Sequence, residues 1–380
     1  MAQKKKEKDG YFRSTFVIGK KADGKPQRIT VRAKTKKEHD EKLAEAKRLY
    51  SKGVALDDTT VEEWGRRWLA VYKANASPEQ RDMYRAKLER DILPVIGRMS
   101  IKSVRASHLQ EIMNSFFGGK KGTVVKIRLV LKQMFEAAER DGIIERNPAA
   151  YLELPELEEK LRRPLTDIER ATVWSVAQGH LCGDYVLVML LCGLRRGECI
   201  ALTVKDVDFS RNRLIINKSL RFRGNIGEEK GPKSKAGNRE VPIPDILLPI
   251  LQRRCKDKNS ESLLFTKKDG RAATKQTCRW WWLSFIRQCH ITAGAKQYRN
   301  KILTETSPFD YNITPHYLRH TYATDLYAAG IDDRAQKHFL GHATSRDVTD
   351  IYRKMNEAAF NRAASLLNEF MTKIYLAGGN

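Results

Sequence analysis

Two prolines set in a run of charge, "ELPELEEKLRRPLTDIER" at 153–170, cut this chain in two. Proline breaks or kinks a helix and pushes the residue before it out of the helical region, so no single element crosses the stretch. Thr166 and Glu169 stand three apart near its end, the spacing of a capping box, and a new helix and a new domain start there. With 380 residues the chain is too long for one ordinary core, and the linker shows where a second begins.

Upstream of the linker the hydrophobic period changes once more. "YFRSTFVIG" and "PQRITVRA" alternate as strands do, and "KKADGKP" between them carries Asp23-Gly24, a hairpin signal. "TKKEHDEKLAEAKRLYSKG" follows as a helix, with Thr35 and Glu38 as its capping box and Gly53 beyond its end. From residue 57 to about 158 the pattern is helical throughout. "TTVEEWGRRWLAVYK" puts Val61, Trp64, Trp68, Leu69 and Tyr72 on one stripe, and "GTVVKIRLVLKQMFEAAERDGII" is a long helix closing at Gly142. After the linker come helices interrupted by one β-rich stretch at 206–244. The boundaries expected are 1–56, 57–158 with the linker, and 159–380.

Charge narrows the function. The chain carries 71 Lys+Arg against 46 Asp+Glu, a net +25, which calls for a polyanionic partner: nucleic acid or an anionic membrane. Residues 1–56 hold about ten more basic than acidic residues, and their sheet-then-helix pattern favours nucleic acid. No apolar run approaches the roughly 18 residues that span a bilayer. The longest, "DYVLVMLLCGL" at 184–194, has the length of a buried helix, and "MAQKKKEKDG" has no apolar stretch behind it to make a secretory signal. Six cysteines lie scattered at 182, 192, 199, 255, 278 and 289 without a C-x-x-C pair, which fits buried thiols in a reducing cytoplasm.

The chemistry is concentrated downstream. "LLCGLRRGECIAL" (190–202) ends an apolar helix near Cys192-Gly193, then presents Arg195 and, three residues on, Glu198. "GPKSKAGNREVPIP" (231–244) reads as a hairpin with lysines near its tip. "ITPHYLRHTYATDLYAAGI" (313–331) places His316, Arg319 and His320 within about one helical turn; His342 follows Leu340-Gly341, and Tyr352 follows that. Singly each has a dull explanation. Together and in this order they resemble the tyrosine recombinases, the phage-integrase family.

The resemblance reaches nearly the whole chain. The stretch 57–150, opening with "TTVEEWGRRWL" and closing with "GIIERNPA", looks like the family's helical core-binding domain, and the N-terminal module like an arm-binding domain of temperate-phage and conjugative-element integrases. The fold it implies is α+β and multidomain: a small N-terminal three-stranded sheet plus helix, an all-α core-binding domain, and a mostly α catalytic domain with a small antiparallel sheet. The function it implies is site-specific integration and excision of a mobile element. An invertase or chromosome-dimer resolvase would be the alternative within the family, and a non-catalytic DNA-binding regulator outside it.

Residue chemistry agrees with the resemblance. A phosphodiester repels nucleophiles, and its attack builds charge on the non-bridging oxygens. Arginine suits those oxygens because its planar fork donates two parallel hydrogen bonds and keeps its proton. Arg195 and Arg319 would act as that pair; spacing and the resemblance imply that Glu198 holds the Arg195 fork, and His320 would orient its neighbours. A free tyrosine has a pKa of about 10, so a phenolate at pH 7 costs about 4 kcal/mol, less beside two guanidiniums. The resemblance implies Tyr352 as the nucleophile of a 3′-phosphotyrosyl link, with His316 taking its proton or hydrogen-bonding the phosphate, and His342 on the phosphate as well. It also implies a hairpin lysine as acid for the leaving 5′-oxygen, Lys233, with Lys235 as the alternative.

No metal and no other cofactor is expected, since arginines neutralise the charge; the His316–His320 spacing could suit zinc, but Arg319 between them repels a cation. The candidate DNA contacts are Arg13, Arg28 and Arg32 in the N-terminal module and Lys120, Lys121 and Lys126 in the helical one. The expected partners are double-stranded DNA attachment sites of core and arm type, three further copies in a homotetramer on DNA, and possible helpers in a directionality factor and a DNA-bending host protein. No membrane partner is expected. The last helix, with Phe360, Ala363, Leu367, Phe370 and Ile374 on one face, fits either its own domain or a neighbouring protomer, and the triple Trp280–Trp282 reads as core rather than as base-stacking.

Overall fold

The computed structural model describes residues 10–20, 26–51, 59–157, 163–231, 237–299, 301–310, 312–341 and 355–376. The chain divides into two compact units, Met1–Lys160 and Leu161–Asn380.

The first unit opens with strands β1 (Phe12–Lys20) and β2 (Pro26–Ala33), paired antiparallel from Phe12↔Ala33 to Lys20↔Pro26 with a bulge between Val17 and Gly19. Alternation sorts their side chains. Val31 and Ala33 are buried toward helix α1 (Lys36–Ser51), while Arg13, Thr15, Val17, Arg28, Thr30 and Arg32 are exposed on the other face. Arg13 lies directly opposite Arg32, whose guanidinium sits 3.7 Å over the Tyr11 ring. The Thr35 hydroxyl caps α1 by accepting from the Glu38 N–H at 3.2 Å. Among the described residues this sheet has two strands, β1 and β2, so the three-stranded sheet the resemblance implied fits only roughly. The Asp23-Gly24 hairpin turn lies outside the described residues.

A helical bundle completes the unit: α2 (Val61–Tyr72), α3 (Pro78–Lys87), a π-helical turn (Leu88–Ile92), α4 (Leu93–Ile96), α5 (Ala106–Asn114) and α6 (Lys121–Arg140). Val61, Trp64 and Trp68 of the expected α2 stripe are buried, with Leu69 and Tyr72 packed at its edge. The Trp64 indole donates to the Met134 carbonyl at 3.0 Å, which ties α2 to α6 and satisfies a buried polar atom. Lys120 and Lys121 begin α6 with no acidic residue in its first turn, and Lys126 is exposed one turn on.

The second unit starts where Thr166 caps α7 (Asp167–Gly179). Helix α8 (Gly183–Cys192) is buried along its whole length, as its unbroken apolar run requires. It is followed by α9 (Arg196–Ala201), strands β3 (Val207–Asp208) and β4 (Arg213–Ile216), the hairpin β5 (Ser219–Arg223) with β6 (Ile226–Lys230), and β7 (Arg239–Pro242). The sheet order is β3-β4-β7, with Arg213↔Pro242 and Ile216↔Arg239 in register. In the stretch 231–244, residues 239–242 pair with β4, while residues 232–236, where the sequence put the lysine-bearing tip, lie outside the described residues. Val241 is buried opposite Leu214 of β4, and β5–β6 forms a local hairpin just upstream.

Helices α10 (Leu248–Cys255), α11 (Lys275–Thr292), α12 (Pro315–Ala328), α13 (Asp333–Leu340) and α14 (Glu357–Tyr375) close the unit. Three consecutive tryptophans on α11 are spread over about 200° of the helix, so they cannot share one environment. Trp281 and Trp282 pack on the core and Trp280 is 61% exposed. Helix α14 buries Phe360, Ala363, Leu367, Met371 and Tyr375 within its own unit, with the Phe360 ring 5.2 Å from that of Phe339. Phe370 and Ile374 are only partly buried, one position off the true core stripe. All six cysteines are free, five of them buried. Among the described residues no helix is long and apolar enough to cross a membrane.

Candidate active site

The site is built where α8 stops. Gly193 takes a left-handed conformation, φ +62°, that turns the chain sharply out of the helix. A Cβ at this position would run into the Tyr322 ring, so glycine is required twice over, by backbone and by packing. Arg195 then occupies the N-cap of α9, and Glu198 is the third residue of that helix. Its carboxylate reaches back to accept from the Arg195 N–H at 2.9 Å and from the Arg195 side chain at 2.8 Å. The three-residue spacing read in the sequence is thus the reach of a helix N-terminal turn.

Glu198 also accepts from a second arginine. Arg239, wholly buried at the start of β7, donates from Nη2 to Glu198 Oε2 at 2.9 Å and from Nη1 to Oε1 at 3.3 Å. Burial opposes the Glu198 charge, but the Arg239 and Arg195 guanidiniums outweigh it and hold the carboxyl down at about 2. Glu198 is therefore an anion that fixes two forks at once.

Arg319 enters from α12. Pro315 starts that helix and Leu318, Tyr322 and Leu326 anchor it in the core, so Arg319 is carried inward with them. Its Nη1 donates to the Gly193 carbonyl at 2.7 Å and its Nη2 to the Leu340 carbonyl. Burial first, then the nearby Arg195, lowers its pKa to about 10. His316 and His320 lie one turn apart with ring centroids 4.6 Å apart, edge to face; His316 is exposed and His320 partly buried. Arg195 keeps 45% of its side chain exposed, so one fork faces solvent while its carboxylate partner is buried.

Of the residues picked from sequence, the structure brings Arg195, Glu198 and Arg319 together, with His316 and His320 on the Arg319 helix. Lys233, Lys235, His342 and Tyr352 lie outside the described residues. Arg13, Arg28, Arg32, Lys120, Lys121 and Lys126 belong to the first unit, on the two surfaces described above. Sequence reasoning missed Arg239. Its signal was present: in "REVP" the arginine shares the inward phase with Val241, a charged residue where alternation asks for an apolar one. Among the described residues no three His, Cys, Asp or Glu side chains gather as a metal site.

Chemically, three guanidiniums surround one carboxylate, and two of the three are buried. Surplus positive charge and a half-exposed Arg195 fork give the cluster the chemistry to accept an anion.

Comparison with known proteins agrees. Residues 176–359 match the model of the phage integrase family, and residues 61–154 that of the phage integrase central domain. The chain is 26% identical over 387 residues to the tyrosine recombinase XerC-like protein of Caldanaerobacter subterraneus subsp. tengcongensis, covering 94% of this chain and 96% of that one. It is 30% identical over 230 residues to tyrosine recombinase XerA of Thermococcus kodakarensis, covering 59% of this chain and 70% of that one. Its fold resembles that of the Tn1549 transposon integrase solved with a circular-intermediate DNA, with a TM-score of 0.63, 22% identity, and coverage of 81% of this chain and 99% of that one. Fold, arginine cluster and sequence relationship converge: this chain belongs to the phage integrase family of tyrosine-type site-specific recombinases.

Proposed function

We propose that this recombinase integrates and excises a mobile element by cutting and rejoining DNA at attachment sites through a 3′-phosphotyrosyl intermediate. The observation that carries the proposal is the Arg195–Glu198–Arg319 arrangement, two forks held at fixed places beside a buried anion with cationic charge to spare. Arg195 and Arg319 take the non-bridging oxygens of the scissile phosphate. Tyr352 attacks phosphorus, the 5′-oxygen leaves with a proton from Lys233 (or Lys235), and the phosphotyrosyl bond conserves the energy of the broken strand. His316 accepts the phenolic proton or donates to the phosphate, His342 donates to the phosphate, and His320 steadies the helix face. No step requires ATP.

The reading extends to the rest of the chain. Residues 57–158 bind core DNA together with the catalytic domain at 159–380, and residues 1–56 bind arm sites. Arg13, Arg28 and Arg32, exposed together on one sheet face, support the arm assignment, because their side chains present donors and positive charge on the surface where a phosphate backbone could lie. Exposed Lys120 and Lys121 at the α6 N-terminus support a phosphate contact, since both the lysines and the positive end of the helix dipole favour an anion there. Recombining two duplexes requires four strand cuts, and one tyrosine per cut implies a homotetramer on DNA. A directionality factor and a DNA-bending protein would bias and shape that assembly.

A nicked attachment-site substrate tests the chemistry. The wild-type protein should form a covalent DNA–protein band, and Tyr352→Phe should abolish it with binding intact. A band that persists in Tyr352→Phe would place the nucleophile elsewhere. Arg195→Ala should lose cleavage far more than binding; equal loss of both would make Arg195 structural.

A further inference from the structure

One buried side chain joins three parts of the second unit that are distant in sequence. Arg239 donates from Nε to the Phe339 carbonyl at 2.8 Å, from both terminal nitrogens to Glu198, and from Nη1 to the Gly237 carbonyl at 3.4 Å. Phe339 lies in the last turn of α13, just before the segment that carries His342 and Tyr352. Gly341, φ +59°, packs so closely on the Arg239 guanidinium that a Cβ there would approach Nη1 to 2.9 Å. Glu198 aligns Arg195, and Gly237 adjoins the stretch that carries Lys233 and Lys235.

From these contacts, and resting on the functional reading above, we propose that Arg239 is a positioning residue of the cleavage reaction. It sets the distance between the Arg195–Glu198 pair and the stretch that bears the nucleophile. The physical case is one of geometry rather than of charge. A helix end leaves its last carbonyls without intrahelical partners, and those of α13 are claimed by two arginines from elsewhere, Phe339 by Arg239 and Leu340 by Arg319. A rigid planar fork can hold a carboxylate on one edge and a carbonyl on the other at once, which a lysine cannot. Because Arg239 is wholly buried, it does not itself meet the phosphate.

The test measures single-turnover cleavage of nicked attachment-site DNA, DNA affinity and thermal stability for wild type, Arg239→Lys, Arg239→Gln and Arg239→Ala. A misplacement of about 1 Å costs on the order of 100-fold in rate. The proposal expects a loss of about that size for Arg239→Gln and Arg239→Ala, with affinity within about threefold, the size of a contact-free change. Arg239→Lys should recover part of the rate, and millimolar guanidinium ion should restore part of the Arg239→Ala rate. Cleavage at the wild-type rate in Arg239→Gln would overturn the proposal. So would equal loss of cleavage and affinity, or unfolding of all three variants, since either makes the residue structural. The reading beneath it fails separately: wild-type protein that forms no Tyr352-dependent adduct removes the reaction, whatever Arg239 does.

Discussion

Arg319 Nη1 donates to the Gly193 carbonyl at 2.7 Å, across 126 residues of chain. That bond exists because Gly193 turns its carbonyl into the site from a left-handed backbone. Gly193→Ala would strain the backbone and drive a methyl group into Tyr322, which is fully buried and cannot swing away. The variant should lose about 2 kcal/mol or more in urea denaturation, by the magnitudes for strain and overpacking together. It should also cleave more slowly than its remaining folded fraction accounts for.

Arg170 of α7 holds Asp325 of α12 through two bonds, 2.7 and 2.8 Å, and donates to the Tyr375 hydroxyl of α14 at 3.0 Å. Burial opposes the Arg170 charge, but Asp325 outweighs it and pushes the guanidinium pKa up. Asp325→Ala strands that charge and should cost about 3–5 kcal/mol, whereas Arg170→Met with Asp325→Leu should cost far less. Equilibrium unfolding of the two variants checks the difference.

The Glu198 carboxyl is lowered from 4.5 to about 2 in the folded protein. A depressed carboxyl stabilises the fold fully above its unfolded value and loses that contribution as pH falls toward the folded one. Between pH 4.5 and 2 the wild-type protein should therefore lose stability more steeply than Glu198→Gln, which has no such group to protonate. Thermal melts across that window provide the comparison.

Exposed arginines on the β1–β2 face should act through phosphates. Replacing Arg13, Arg28 or Arg32 with Ala should each lower the salt slope of arm-DNA binding by about one, and leave core-DNA binding unchanged. Anisotropy titrations at several salt concentrations measure both quantities. Loss of core binding would mean that residues 1–56 are not a separate DNA-binding domain.

Much of the architecture was legible because it rests on short-range rules. The Thr35 and Thr166 caps lie where the sequence begins helices, and the α2 stripe and the apolar run of α8 are as buried as their patterns demand. Periodicity weakened where a face ran ambiguous. On α14 it named Phe370 and Ile374, and packing buried Met371 and Tyr375, the latter with its hydroxyl accepting from the buried Arg170. The β-rich stretch was found, but its pairing was not: β7 skips the hairpin beside it and joins β4.

The sequence by itself determined the family, the helical and strand content, and the pairing of Arg195 with Glu198, since a carboxylate three residues into a helix reaches its own N-cap. Only the tertiary structure decided that Arg239 shares that carboxylate, and that the Gly193 and Leu340 carbonyls receive Arg319. Those bonds join segments far apart along the chain. Local propensity carries no information about such meetings, which arise when separate helices and strands bury their apolar faces in one core.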